Sequence, residues 1–143
     1  MIKRWGTCVT LALLVAGLAS GAVAQGDERT RVFNAPVDRV WTVTRSTLKG
    51  LGWDIDKEDR DVGWIRTDSR RLEGDNYGVY AKGTKHRLRV VIHGQPDGRS
   101  TTVTIERTVY KQERILFVDK EENIPTTDRT VELQILDAIG KSL

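Results

Sequence analysis

Clustered carboxylates are the first residues of this chain that could do chemistry. Residues 54–61 include five acidic side chains among eight positions. A calcium-binding loop needs a glycine at its sixth position and a glutamate at its twelfth. Counted from Asp54, those positions are Asp59 and Ile65, and a count that starts at Asp59 fails in the same way. The stretch is therefore predicted to be the solvated face of a hairpin and not a metal site.

The two histidines, His86 and His93, are the next candidates. Seven residues apart on one predicted strand, they would lie on opposite faces, about 23 Å apart at ~3.3 Å per residue. They could not bind one metal ion, and each is predicted to be a surface or strand-end side chain. The sequence contains no serine-nucleophile, phosphate-loop or dinucleotide-binding motif. It therefore predicts no catalytic residue, no metal, no cofactor and no enzymatic activity.

Arginines and tyrosines in residues 70–83 are the best candidates for binding. This polar stretch contains three glycines and is predicted to be a long loop with at most a ragged strand near Val79. Arginine and tyrosine are enriched at protein interfaces. Arg70, Arg71, Tyr77 and Tyr80 are therefore predicted to contact a partner, with a simple solvated loop as the alternative.

The tryptophans divide into two groups. Trp41 lies on the apolar face of a predicted helix and Trp53 follows that helix, so both are predicted to pack in the core. The alternative for these two is an aromatic ligand pocket between helix and sheet. Trp64 is adjacent to Ile65 in a strand of period two, so one of the pair faces outward. An outward Trp64 would mark a contact surface, and it joins the predicted partner-binding residues.

The charge balance excludes a typical nucleic-acid binder. The chain has 143 residues, with 23 Lys and Arg against 20 Asp and Glu. Lys3 and Arg4 precede an apolar run at the N-terminus, and without them the balance is 21 minus 20, or +1. Such a domain lacks the basic surface that nucleic acid requires. Five basic residues are predicted to line the outer face of the sheet: Arg87, Arg89, Arg107, Lys111 and Arg114.

The N-terminus has the organisation of a secretory signal peptide. Lys3 and Arg4 precede the apolar residues 7–19, and a small-x-small motif ends at Ala24. Residues 1–24 are predicted to be the signal peptide, cleaved between Ala24 and Gln25. The apolar run of about 13 residues is short for a membrane anchor, which needs ~20. The mature chain is therefore predicted to be periplasmic, without an integral membrane span.

Cysteine use agrees with export by this route. Cys8 is the only cysteine and lies at the start of the apolar run, whereas a lipoprotein signal places its cysteine after that run. Lipidation is therefore not expected, and the mature chain would have no disulfide. Residues 25–30 are predicted to be a short disordered N-terminus and residues 31–143 a single domain.

The periodicity of the mature chain predicts an α+β fold. The predicted elements are a strand at 31–34, a helix from Ala35 to Gly50, a hairpin at 53–67, strands at 86–93 and 101–109, and a helix from about Asp128 to the end. Residues 115–118 are an apolar patch that suggests one more short strand. The order is β-α-β-β-β-β-α, in which a curved antiparallel sheet packs on the C-terminal helix.

Four short motifs within residues 31–143 resemble a known family: Ala35-Pro36-x-x-x-Val40-Trp41, Leu48-x-x-Leu51-Gly52, Asp59-x-x-x-Gly63-x-Ile65-x-Thr67 and Ile135-Leu136-Asp137-Ala138-Ile139. They resemble the helix-grip domains of the BamC family, lipoproteins of the bacterial outer-membrane β-barrel assembly machinery. The first motif is also similar to the START and polyketide-cyclase superfamily, which shares this fold and binds apolar ligands. The resemblance implies a helix-grip fold, and no functional residue is carried over.

The expected function is that of an exported, non-enzymatic accessory domain. It would bind another protein of the bacterial cell envelope, with a link to outer-membrane protein assembly. The alternative is a carrier of a small apolar ligand or lipid, of the START-like type. That carrier would need a cavity of a few hundred Å³ between the sheet and the C-terminal helix.

Overall fold

The computed structural model describes residues 27–143. The predicted signal peptide and its cleavage site between Ala24 and Gln25 lie outside the described residues. No helix within residues 27–143 is long and apolar enough to cross a membrane.

The described chain is α+β, with one seven-stranded antiparallel sheet and two helices. The elements in order are β1 Thr30–Phe33, α1 Val37–Gly50, β2 Ile55–Asp59, β3 Trp64–Thr67, β4 Arg70–Asn76, β5 Ala81–Gly94, β6 Thr101–Ile115, β7 Val118–Ile124 and α2 Thr130–Ser142. The main path of the sheet is β1-β6-β5-β3-β2, while β4 pairs with β5 and β7 pairs with β6.

Two of the strands are absent from the predicted order. β4 occupies residues predicted to be a loop, and β5 begins at Ala81, so the loop prediction for 70–83 is wrong at 70–76 and at 81–83. Val79, near which a ragged strand was predicted, lies between β4 and β5. The apolar patch at 115–118 is not a strand of its own, because it contains the end of β6, a two-residue turn and the start of β7. Neither β4 nor β7 has a buried residue, so neither strand shows the alternation that identified the others.

Each helix buries one side against the rest of the chain. In α1 the buried residues are Val40, Trp41, Thr44 and Leu48, and the chain leaves the helix through Gly52 at φ +80°. In α2 they are Ile135, Leu136, Ile139 and also Glu132. No side chain caps α2, although Asp128 accepts a hydrogen bond from the Thr130 backbone N–H at 3.0 Å.

The core lies between these helices and one face of the sheet, which we call the inner face. Leu88, Val90 and Ile92 of β5 face it, together with Val103 and Ile105 of β6. Trp41 and Trp53 are part of the same cluster, which confirms their predicted place in the core.

The predicted basic outer face is wrong for two of its five members. β6 alternates without a break, so Arg107 and Lys111 share the inner face with Ile105. Arg87, Arg89 and Arg114 do face outward. Arg107 is buried there against α2, where it pairs with Glu132. Charged residues occur at both odd and even positions of β6, so the sequence alone does not show which of them face the helices.

The sheet has two parts of different character. β1 pairs with β6, and β3 pairs with β5, at the ends of β5 and β6 that are joined by the 95–100 turn, and α1 and α2 pack on this half. β4 and β7 flank the other half. We call residues 70–86 and 109–124 the wing, and the remaining described residues the body.

Gly63 connects β2 to β3 at a position that only glycine fits. Its φ is +86°, and a Cβ there would lie 2.3 Å from the Ile92 carbonyl oxygen. Gly98, in the β5–β6 turn, also has a positive φ of +66° but open space around it. A side chain at Gly98 would incur only the cost of the positive φ, whereas a side chain at Gly63 would incur that cost and a steric clash as well.

Gly63→Ala is therefore expected to lower the free energy of unfolding by about 3 kcal/mol or more, since strain and overpacking add. Gly98→Ala, which introduces the strain alone, should cost about 1 kcal/mol. Urea unfolding of both variants measures the difference. Equal losses in the two variants would contradict the close approach of Gly63 to β5.

Candidate partner-binding surface

Exposed apolar side chains are concentrated in the wing. Of the eleven large apolar side chains exposed in residues 27–143, eight belong to the wing: Leu72, Tyr77, Tyr80, Ile115, Leu116, Phe117, Val118 and Ile124. The other three are scattered over the body. Single exposed apolar residues are ordinary, whereas a contiguous group indicates an interaction surface.

The most exposed group is the turn between β6 and β7, which we call the tip. Ile115 pairs with Val118, so Leu116 and Phe117 form a two-residue hairpin turn. Their φ values are +50° and +66°, and their side chains are 65% and 75% exposed. Such a turn needs a positive φ at both positions and normally contains Asn-Gly, because a Cβ is strained there.

The tip therefore carries an unfavourable combination of residues. Exposure to solvent does not stabilise the side chains of leucine and phenylalanine, and neither residue favours the left-handed backbone region. Backbone strain of this kind is found at functional sites, where the rest of the fold maintains it. Because the tip combines backbone strain with exposed apolar side chains, it is the strongest candidate for a contact in the described chain.

A shallow trough of about 1010 Å³ lies on the inner face of the wing. Helices cover the same face in the body but stop short of the trough. Tyr77, Tyr80, Ile115 and Ile124 supply its apolar lining. Charged side chains of both signs surround them: Glu73, Asp75, Lys82, Lys111, Glu113 and Arg114. The trough is thus an open surface that suits a protein segment better than an enclosed small molecule.

Arg114 connects the two turns of the wing. Its Nε and Nη2 donate to the two carboxylate oxygens of Asp119 at 2.8 and 3.1 Å, and its Nη1 donates to the Gly78 carbonyl at 3.3 Å. These hydrogen bonds hold the pKa of Asp119 below its usual range. One side chain therefore fixes the tip relative to the turn that contains Tyr77 and Tyr80.

The five residues predicted to bind a partner do not form one surface. Tyr77 and Tyr80 lie together in the trough. Arg70 and Arg71 are at the opposite end of β4, about 23 Å away at ~3.3 Å per residue. Trp64 pairs with Val91 on the outer face of the body, because its neighbour Ile65 is fully buried in the core.

Leu116 and Phe117, the tip residues, are candidate contact residues that the sequence analysis did not predict. Their apolar run was visible as a strand-like patch between Arg114 and Asp119. A strand and an exposed tip of this composition look alike in sequence. The absence of the usual Asn-Gly pair also hides the turn.

The prediction of a surface position for His86 is wrong. His86 is 6% exposed, and its ring lies 4.8 Å from the Trp53 ring, whereas His93 is exposed. Burial lowers the pKa of His86, and the positive charges of Arg107 and Arg70 lower it further. The imidazole is therefore neutral at pH 7. The described part of the chain contains no group of three or more residues that could hold a metal ion.

The core between α2 and the body strands is filled by side chains. Trp41, Trp53 and Ile135 are all buried members of it. The alternative of a START-like carrier therefore finds no cavity inside this core, although an open concavity of about 350 Å³ adjoins it between α2 and the sheet.

Comparison with protein-family models finds no match, and a search of curated proteins finds none either. The likeness to BamC and START domains thus stays a resemblance of short motifs. What the wing does must be inferred from its own geometry.

Replacing the tip by the residues that its turn prefers tests whether it is strained. Leu116→Asn with Phe117→Gly is expected to raise the free energy of unfolding by about 1–3 kcal/mol, because the positive φ values become favourable. Urea unfolding is the measurement, and Val62→Asn, at an exposed apolar residue in the body, is the matched control. A less stable tip variant would show that the two apolar side chains stabilise the folded chain.

Proposed function

We propose that this chain is an exported, non-enzymatic domain that binds another protein of the bacterial cell envelope through its wing. The single observation that carries this proposal is the tip, where two apolar residues are solvent-exposed in a strained turn. A contact that buries Leu116 and Phe117 would offset the cost of their exposure and backbone strain, which the isolated domain does not offset. Aromatic anchors of this kind dominate the binding energy of protein interfaces.

The composition of the trough supports a protein partner. Its apolar floor is surrounded by charges of both signs, which resembles the apolar centre and polar rim of protein interfaces. Lys82, Lys111 and Arg114 offset Glu73, Asp75 and Glu113, so no strong field of one sign is present. A protein segment that contributes its own apolar side chains and charges would complement this surface.

The setting of the proposal comes from the sequence. The N-terminal motif ending at Ala24 supports export to the periplasm. The α+β architecture, with a C-terminal helix packed on an antiparallel sheet, is compatible with a helix-grip domain. The resemblance to BamC domains makes the outer-membrane protein assembly machinery the first set of partners to test.

Site-directed crosslinking tests the proposal in the intact cell envelope. A photoreactive phenylalanine analogue at position 117 is expected to crosslink a defined envelope protein, identified by mass spectrometry. The same analogue at Val62, exposed in the body, is the matched control and should not capture that protein. Capture of the same proteins from both positions would show non-specific proximity and would refute the assignment of the tip.

Variants then separate binding from stability. Leu116→Asn with Phe117→Gly should lower recovery of the crosslinked partner in a pull-down by about tenfold or more, because an anchor worth about 2 kcal/mol is lost. Tyr77→Ser with Tyr80→Ser should act in the same direction, whereas Arg71→Gln at the far end of β4 should not. A tip variant that is stable and binds normally would overturn the proposal.

A further inference from the structure

A second concavity, separate from the trough, lies where the wing meets the body. It measures about 350 Å³ and opens between β4, β5 and α2. Its polar lining comes from Arg70, Arg71, His86 and Gln134, and its apolar lining comes mainly from Leu51, Trp53, Leu72, Val131 and Ile135. This cleft thus combines cationic and polar groups with apolar side chains.

Arg70 contributes a cation without a carboxylate partner. Its guanidinium lies 4.5 Å from the centroid of the Trp53 ring, and it donates one hydrogen bond to the Leu51 carbonyl at 3.3 Å. Arg71, which also lines the cleft, donates to the Gly74 carbonyl at 3.5 Å. Neither arginine forms an ion pair with any carboxylate in residues 27–143. Most of their hydrogen-bonding capacity is therefore unused by the described chain.

His86 contributes a buried polar group without a partner. It lines the cleft, is more than nine-tenths buried, and its Nδ1 has no hydrogen-bond partner in the described part of the chain. A buried polar atom that stays unpaired costs free energy, and native proteins rarely retain one without a reason. A ligand that reached this ring would offset that cost.

Two acidic groups at the start of α2 are paired with other arginines. Glu132 pairs with Arg107 at 3.4 Å and with Arg129 at 3.3 Å, and Asp128 pairs with Arg107 at 3.3 Å. Arg70 and Arg71 are the charged arginines that line the cleft, and neither has such a pair within residues 27–143. The region around His86 therefore has an excess of positive charge, and that charge is one cause of the lowered pKa of His86.

We propose that this cleft binds a small amphiphilic anion, a carboxylate or phosphate monoester that carries a short apolar group. Arg70 and Arg71 would bind the anionic group, since arginine forms paired hydrogen bonds with both chemistries. The neutral His86 ring would add a hydrogen bond, and the apolar group would lie against Leu51, Val131 and Ile135. The volume is at the lower end for ligand pockets, which favours a small molecule. The inference does not depend on the function proposed for the wing.

Anion binding by the mature chain can be tested with three probes: octanoate, octyl phosphate and octanol. Calorimetric titration should show saturable binding of one or both anions, with octanol at least about tenfold weaker because it lacks the charge. Binding of octanoate alone would indicate free carboxylates as ligands, and preference for octyl phosphate would indicate phosphate-bearing lipids or metabolites. Equal binding of octanol, or no saturable binding of either anion, would overturn the inference.

Three variants identify the cleft as the site. Arg70→Gln should weaken binding of the preferred anion about tenfold, while Arg89→Gln, an exposed outward arginine on β5, should leave it unchanged. Arg71→Gln, which removes no contact with Trp53, provides the test if Arg70→Gln does not fold. In an NMR titration of the wild type, the anion should shift the His86 ring signals, and octanol should not.

The tip variant tests whether anion binding in the cleft is independent of protein binding by the wing. Leu116→Asn with Phe117→Gly should bind the anion normally, even if it loses its protein partner. Loss of anion binding in the tip variant, or unchanged binding in both the Arg70 and the Arg71 variants, would place the ligand elsewhere and overturn the assignment.

Discussion

The structure depends on the length of one antiparallel pair. β5 and β6 remain hydrogen-bonded over 14 residue pairs, from Ala81 with Arg114 to Gly94 with Thr101. At ~3.3 Å per residue this ladder is about 46 Å long, whereas the 13 residues of α2 span about 20 Å. The helices therefore cover only part of the inner face. The rest has no apolar cover, which gives the molecule a packed body and an open wing.

The elements of the body could be predicted from sequence patterns because their apolar residues recur at the positions that are buried. Leu88, Val90 and Ile92 alternate with less buried residues such as Arg87 and Arg89. Ile135 and Ile139 recur at helical spacing, so the pattern of each element identifies its inner face. β4 and β7 carry no such signal, since all their residues are exposed and backbone pairing to β5 and β6 holds them. Arg107 shows the converse, because this charged side chain is buried on the inner face of the body, where α2 provides Glu132 as its partner.

The candidate surfaces were only partly predictable for a related reason. Tyr77 and Tyr80 could be nominated from residue type, but their separation from Arg70 depends on β4 being a strand instead of a folded loop. The strained backbone at Leu116 and Phe117 is invisible in a sequence that lacks the usual turn residues. His86 looked like a strand-end residue, and only the contact with Trp53 reveals its burial.

The one-sided pairing of β4 and β7 has a consequence for dynamics. Each strand bonds to a single neighbour and has no buried residue, so its amide hydrogens should exchange with solvent through local opening. Body amides, in contrast, should exchange only when the whole domain unfolds. The two long strands thus join two cooperative units of unequal stability. Substitutions in β4 and β7 can change what the domain recognises without disturbing its core, which leaves recognition free to diverge faster than the fold.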